Sequence, residues 1–307
     1  MKSIIKNLSP FNNRSDMPIA MLVVKKLLAF VVCYLAGIFL AEGLVICLML
    51  VCGKNFMQGE MFDDSVMMLI KLYGMIVIIA ASVLYWKLIE KRNLSEMGIT
   101  KNISGWFIGA GIGVLLIIVS VSAIITTGTI KISGFSADIN ITMLLLMLGG
   151  YVIQGAAEEF LSRGLVFHGL KDKVSLAVAV GANTLVFTLP HIGTLNGSEL
   201  QFIISGLINL VAISCVFSFL TLRTKSIWAA CGLHSVWNFC LSCILGLNLS
   251  GSEGLSTALI GMRSVGENLL NGGKYGIEAS IITVAVVAAA AVLMWYSYKK
   301  GNKERQV

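Results

Sequence analysis

Two adjacent carboxylates, Glu158 and Glu159, are followed one helical turn later by Arg163; His191 closes the run FTLPH, and His234 is followed four residues on by Asn238. These side chains supply a base, two imidazoles and an amide. A carboxylate in a bundle core can take a proton from water, and imidazoles beside it can orient that water or hydrogen-bond a substrate carbonyl. An Asn amide can donate to the oxyanion of a tetrahedral intermediate. The set suffices to hydrolyse an amide without a Ser-His or Cys-His pair.

Helical spacing sorts these groups. At about 100° per residue, Glu159 and Arg163 share a face and can pair one turn apart, whereas Glu158 points elsewhere and stays available. The same spacing puts Gln154 on the face of Glu158, Phe187 on that of His191, and His234 on that of Asn238. With a rise of about 1.5 Å per residue from the inner helix ends, Glu158, His234 and Asn238 lie at depths of about 18, 12 and 18 Å, so they can meet. His191 falls at about 26 Å, near the outer side, and needs a tilt or a bend at Pro190 to join them.

The elements that must position these residues are membrane spans. The 307-residue chain is 57% hydrophobic and 13% charged, with mean hydropathy +0.87, more apolar surface than a soluble domain of this length can hide. The fold class expected is all-α, a polytopic membrane helix bundle of about eight transmembrane helices. The spans are Leu27 to Cys52, Val66 to Ile89, Gly105 to Thr127, Ile141 to about Leu170, Val174 to Pro190, Leu200 to Leu222, Ser226 to Leu247, and Ile277 to Tyr298. Segment 1–26 is then a polar, basic, cytoplasmic N-terminal stretch, 27–298 the membrane domain with its chemistry in 141–247, and 299–307 a basic cytoplasmic tail. The first span is too long for a signal-peptide core and is read as an uncleaved anchor.

Basic residues orient the bundle. With both termini inside, 17 of the 23 Lys and Arg are cytoplasmic, five, including Lys71, are assigned outside, and Arg163 lies within a span, as the positive-inside rule requires. That topology and anionic lipid account for the net charge of +7, and no basic, aromatic-laced patch suggests nucleic acid. The seven cysteines form no CxxC pair and read as small buried hydrophobes. The outer loop Asn248 to Gly276, rich in Gly, Ser and Asn, is expected to be mobile.

Three motifs occur in order on separate spans: EEFLSR fits EExxxR, FTLPH fits FxxxH, and HSVWN fits HxxxN. Together they resemble the CAAX protease and bacteriocin-processing (Abi) family of intramembrane proteases, related to the type II CAAX prenyl endopeptidases. The resemblance covers about Met143 to Leu247; GGKYGIEAS is similar to a stretch before the last helix of bacterial members, and Pro190 before His191 is a departure. The resemblance implies that Glu158 activates water with help from His191, that Glu159 and Arg163 support the site, and that His234 and Asn238 form the oxyanion hole. It implies a peptide or protein-tail substrate, contact with membrane lipid, and a place in a bacterial plasma membrane.

Two His and two Glu would also suit zinc. No HExxH helix is present, however, and Arg163 would repel a cation, so metal-free chemistry without a cofactor is favoured. His168 matches no motif and reads as a packing residue; Glu42 and Glu278 read as structural. An immunity or scaffold protein binding a membrane partner, or a proton-coupled transporter, are the other uses of such buried polar groups. No repeat symmetry supports the transporter, and the oligomeric state is left open.

Overall fold

The computed structural model describes residues 9, 11, 17–137, 139–196, 198–252 and 258–303. Most of the basic segment 1–26 and the last four residues of the tail lie outside the described residues. Eight main helices run through the described chain: α1 Ile19–Val51, α2 Asp64–Ile89, α3 Ser104–Thr126, α4 Ile141–Leu170, α5 Leu176–His191, α6 Leu200–Thr224, α7 Trp228–Phe239 and α8 Ile281–Lys303. Six of them, all but α5 and α7, are long and apolar enough to cross a membrane. The protein is an all-α polytopic bundle, with an expected eight spans that resolve into six long helices and two short ones.

The short helices are the inner ones. Along α7, Ala229 to Ser235 are all buried, and a helix buried all round needs no lipid-facing length. It continues through a π-helical turn, Cys240–Ile244. The helix starts follow local chemistry: the Asn140 side chain accepts from Met143 N at 2.9 Å to cap α4, and Ser175 accepts from Val178 N at 3.3 Å to cap α5. α1 begins upstream of the expected Leu27, so Lys25 and Lys26 lie inside the helix. Both are buried against Glu90 just past α2, at 3.1 and 3.0 Å.

α7 is seated by absent side chains. A Cβ on Gly109 of α3 would lie 1.8 Å from Ala229 O, and one on Gly232 of α7 would lie 1.9 Å from Trp106 O. On the other side, a Cβ on Gly155 of α4 would meet Ser235 Oγ at 2.6 Å. Small residues let backbones approach this closely and substitute for a hydrophobic drive that lipid does not supply. Because the clash at Gly232 is with backbone, no rotamer relieves it. Gly232→Val is expected to cost about 1–3 kcal/mol and lower the unfolding midpoint by several degrees, measured by thermal unfolding in detergent.

One strand pair stands outside the all-helical expectation. β1 Ile130–Phe135 pairs antiparallel with β2 Ile260–Ser264, from Ile130 opposite Ser264 to Phe135 opposite Ile260. The loop expected to be mobile from Asn248 to Gly276 is therefore ordered in part. Asn271 adds to this, its Nδ2 donating to Thr129 O at 3.1 Å and Gly266 O at 2.9 Å. Five- and six-residue strands rich in Gly and Ser carry too little alternation to be seen in sequence.

Candidate active site

The glutamate pair sits where α4 changes its winding. Ile141–Glu159 is α-helical and Phe160–Phe167 is π-helical, a rare widening frequent at functional sites. His168 helps hold this turn: its backbone N–H and its ring Nδ1–H both point at Arg163 O, the ring at 2.8 Å. The packing role expected of His168 thus takes a specific form.

Arg163 and Glu159 pair as their spacing requires, Nη1 to Oε1 at 3.1 Å, with both side chains fully buried at 0% exposure. The guanidinium also donates to Ser214 Oγ and O of α6, at 2.7 and 3.1 Å. It stacks between the Phe187 and Phe217 rings at 4.4 and 4.8 Å. A delocalised, weakly hydrated cation suits such a slot. The same Glu159 Oε1 accepts from His234 Nδ1 at 3.0 Å, which orients the ring with Nε2 pointing onward.

That Nε2 lies 3.8 Å from Glu158 Oε2, and His191 Nε2 lies 3.7 Å from the same oxygen. Both gaps are too long for a direct hydrogen bond and suited to a bridging water. His191 Nδ1 donates to Phe187 O at 2.9 Å, so this ring too presents Nε2 to the carboxylate. On the far side, Asn238 Nδ2 donates to Gln154 Oε1 at 3.1 Å, and Gln154 Nε2 donates to Glu158 Oε1 at 3.2 Å.

Every residue singled out by the three motifs therefore meets in one place, lining or backing a cavity of about 370 Å³. His191, which the depth ruler put apart, is included. α5 packs along the π-helical turns of α4, and its end tightens into a 3₁₀ turn at Leu189–His191 with Pro190 in its first positions. The proline that departs from the resemblance starts the turn that presents the histidine. Among the described residues no group of three or more His, Cys, Asp and Glu is arranged to hold a metal ion.

Spacing within single helices did not reveal the contacts between helices. Glu159 serves His234 as well as Arg163, a link invisible to arithmetic along α4 alone. Ser214 had no sequence signal beyond being polar in an apolar span. Glu278, read as structural, lines the cavity, where it accepts from Trp237 Nε1 at 3.1 Å and from Ser250 N and Oγ at 2.7 Å each. Its position beside a glycine-rich loop was the available hint. It ties the loop before α8 to the helix that carries His234 and Asn238.

Fold and site thus define a polytopic helical membrane protein with a buried cluster of carboxylates, imidazoles and amides opening on a cavity. Residues 140–240 match the family model described as Type II CAAX prenyl endopeptidase Rce1-like, and over this region the chain is similar to that family. Comparisons with curated proteins and with solved structures gave no match. The matched residues run from the cap of α4 into the end of α7 and contain Glu158, His191, His234 and Asn238.

Proposed function

We propose that the protein is an intramembrane endopeptidase that hydrolyses a peptide bond with a water activated by Glu158. The observation that carries this is the meeting of His191 Nε2 and His234 Nε2 on one Glu158 oxygen, at 3.7 and 3.8 Å. In this reading a water held by Glu158 and His191 gives its proton to Glu158 as its oxygen attacks the scissile carbonyl. Glu158 then returns the proton to the leaving amine, so that water's atoms end on the two products. His234, as an imidazolium that is held by Glu159 through Nδ1–H and donates from Nε2–H, and Asn238, on the next turn of α7, stabilise the oxyanion. Glu159 and Arg163 keep His234 in position and stay out of the chemistry. No metal or cofactor takes part; Glu159 Oε1 is already engaged by Arg163 and His234.

The basic residues support placing both termini on the cytoplasmic side, and the resemblance noted above favours a bacterial plasma membrane. The cavity lining reaches Thr194, Ser250 and Glu278 in the loops, which fall on the outer side in that topology. The role is then maturation, processing or self-immunity toward peptides at that membrane, or cleavage of CAAX-type tails.

The test uses full-length protein in detergent and internally quenched peptides ending in a C-a-a-X sequence, with and without a farnesyl group on the cysteine. The expected result is cleavage of at least one peptide, unchanged by a tight zinc chelator. Asn238→Ala should lower kcat by about 10²-fold or more, as for loss of one oxyanion donor. A chelator-sensitive rate restored by zinc would contradict the metal-free chemistry, and full activity of Asn238→Ala would remove the amide from the oxyanion hole.

A further inference from the structure

The catalytic groups come from α4, α5 and α7, inside the family-matched region. A further part of the cavity lining comes from helices outside it: Phe30 and Tyr34 of α1, and Met68, Lys71, Leu72 and Met75 of α2. Among the described residues lining the cavity, Lys71 is the only Lys or Arg. Charge counting assigns it to the outer side, and it lies inside the span Asp64–Ile89, about 10 Å along the helix from Asp64.

The rotation of α2 that brings Lys71 to the cavity is fixed by packing. A Cβ on Gly150 of α4 would lie 2.9 Å from Leu72 Cβ, and Tyr73 Oη donates to Leu146 O at 3.1 Å. Lys71 is exposed, and no carboxylate among the described residues pairs with it. The cavity's own acids are committed elsewhere, Glu278 to Trp237 and Ser250, and Glu158 to Gln154 and the two imidazoles. An ammonium at membrane depth is costly, by a few kcal/mol on insertion scales, and by default marks a functional position.

We propose that Lys71 is a specificity-determining contact for a carboxylate on the peptide substrate, drawing in peptides that carry a negative charge beside the scissile bond. This rests on the protease reading above. The carboxylate is either the free C-terminus of the peptide or an acidic side chain near it; both offer an ammonium the same partner.

The test uses three peptides that share one sequence up to the last residue: one with a free C-terminal carboxylate, its carboxamide, and a carboxamide with Glu as the last residue. The full-length protein is assayed in phosphatidylcholine vesicles and again with phosphatidylglycerol added. The wild type is expected to favour the free carboxylate over the carboxamide by about five- to tenfold in kcat/KM, chiefly through KM. Lys71→Gln should erase that preference with kcat kept within about twofold, Lys71→Arg should retain it, and Lys71→Glu should reverse it. Recovery with the Glu-terminated amide identifies a side-chain carboxylate, and no recovery identifies the terminal one. A preference unchanged in Lys71→Gln overturns the inference while leaving the protease reading intact. So does an effect of Lys71 seen only with anionic lipid, which would make it a headgroup contact. Absence of Glu158-dependent cleavage of all three peptides overturns the protease reading and this inference with it.

Discussion

Replacing Glu158 by Gln is expected to lower kcat for peptide cleavage by about 10³-fold or more, because the amide cannot accept a proton from water. The substitution keeps side-chain length and leaves an amide oxygen to accept from Gln154, which donates to Glu158 Oε1 at 3.2 Å. The Glu158 side chain is 20% exposed to the cavity, so little packing changes, and stability should stay within about 1 kcal/mol of wild type. KM should move little, since a group used to activate water contributes mainly in the transition state. Parallel measurement of kcat, KM and thermal unfolding separates this from general damage. Retained turnover would mean that another group activates the water.

The second large effect is on stability. Arg163→Met is expected to destabilise the protein by about 3–5 kcal/mol, because it leaves Glu159 ionised and buried without its cation. Ser214 and the slot between Phe187 and Phe217 also lose their partner. Breaking a buried pair from one side is the costly direction, whereas removing both charges is often nearly neutral. The double variant Glu159→Gln with Arg163→Met should therefore recover most of the lost stability in thermal or denaturant unfolding. Its activity should remain low, because a neutral amide holds the His234 imidazole less firmly than the carboxylate at 3.0 Å. A double variant no more stable than Arg163→Met alone would count against a pair whose cost is the uncompensated charge.

The site was legible because hydrophilic groups are rare in so apolar a chain, and each one left in a span has to be explained. Spacing along single helices anticipated the Glu159 and Arg163 pair, the contact of Gln154 with Glu158, and the turn linking Phe187 to His191. Rules that assume straight, uniform helices fared worse. The depth ruler displaced His191 because it took no account of how α5 lies along α4 or of the 3₁₀ turn at Pro190. The Glu159 to His234 bond and the Ser214 anchor are contacts between helices far apart in sequence, and one chain read alone carries no trace of them. Lys71 was counted with the outer side although it falls within the expected span Val66 to Ile89, because charge counting assigns a basic residue near a span's end to the nearer face. The early start of α1 was hidden by Lys25 and Lys26, which read as polar flank until Glu90 provides their partner.

The central claim is that Glu158 and His191 act on one shared water. Its most direct measurement is a double-mutant cycle in kcat/KM on a cleaved peptide, comparing Glu158→Gln, His191→Ala and the two combined. Groups serving one proton transfer lose their effect together, so the combined variant should be no slower than the worse single variant within about tenfold. Losses that multiply, each substitution exacting its full cost on top of the other, would show two independent contributions and contradict the shared site.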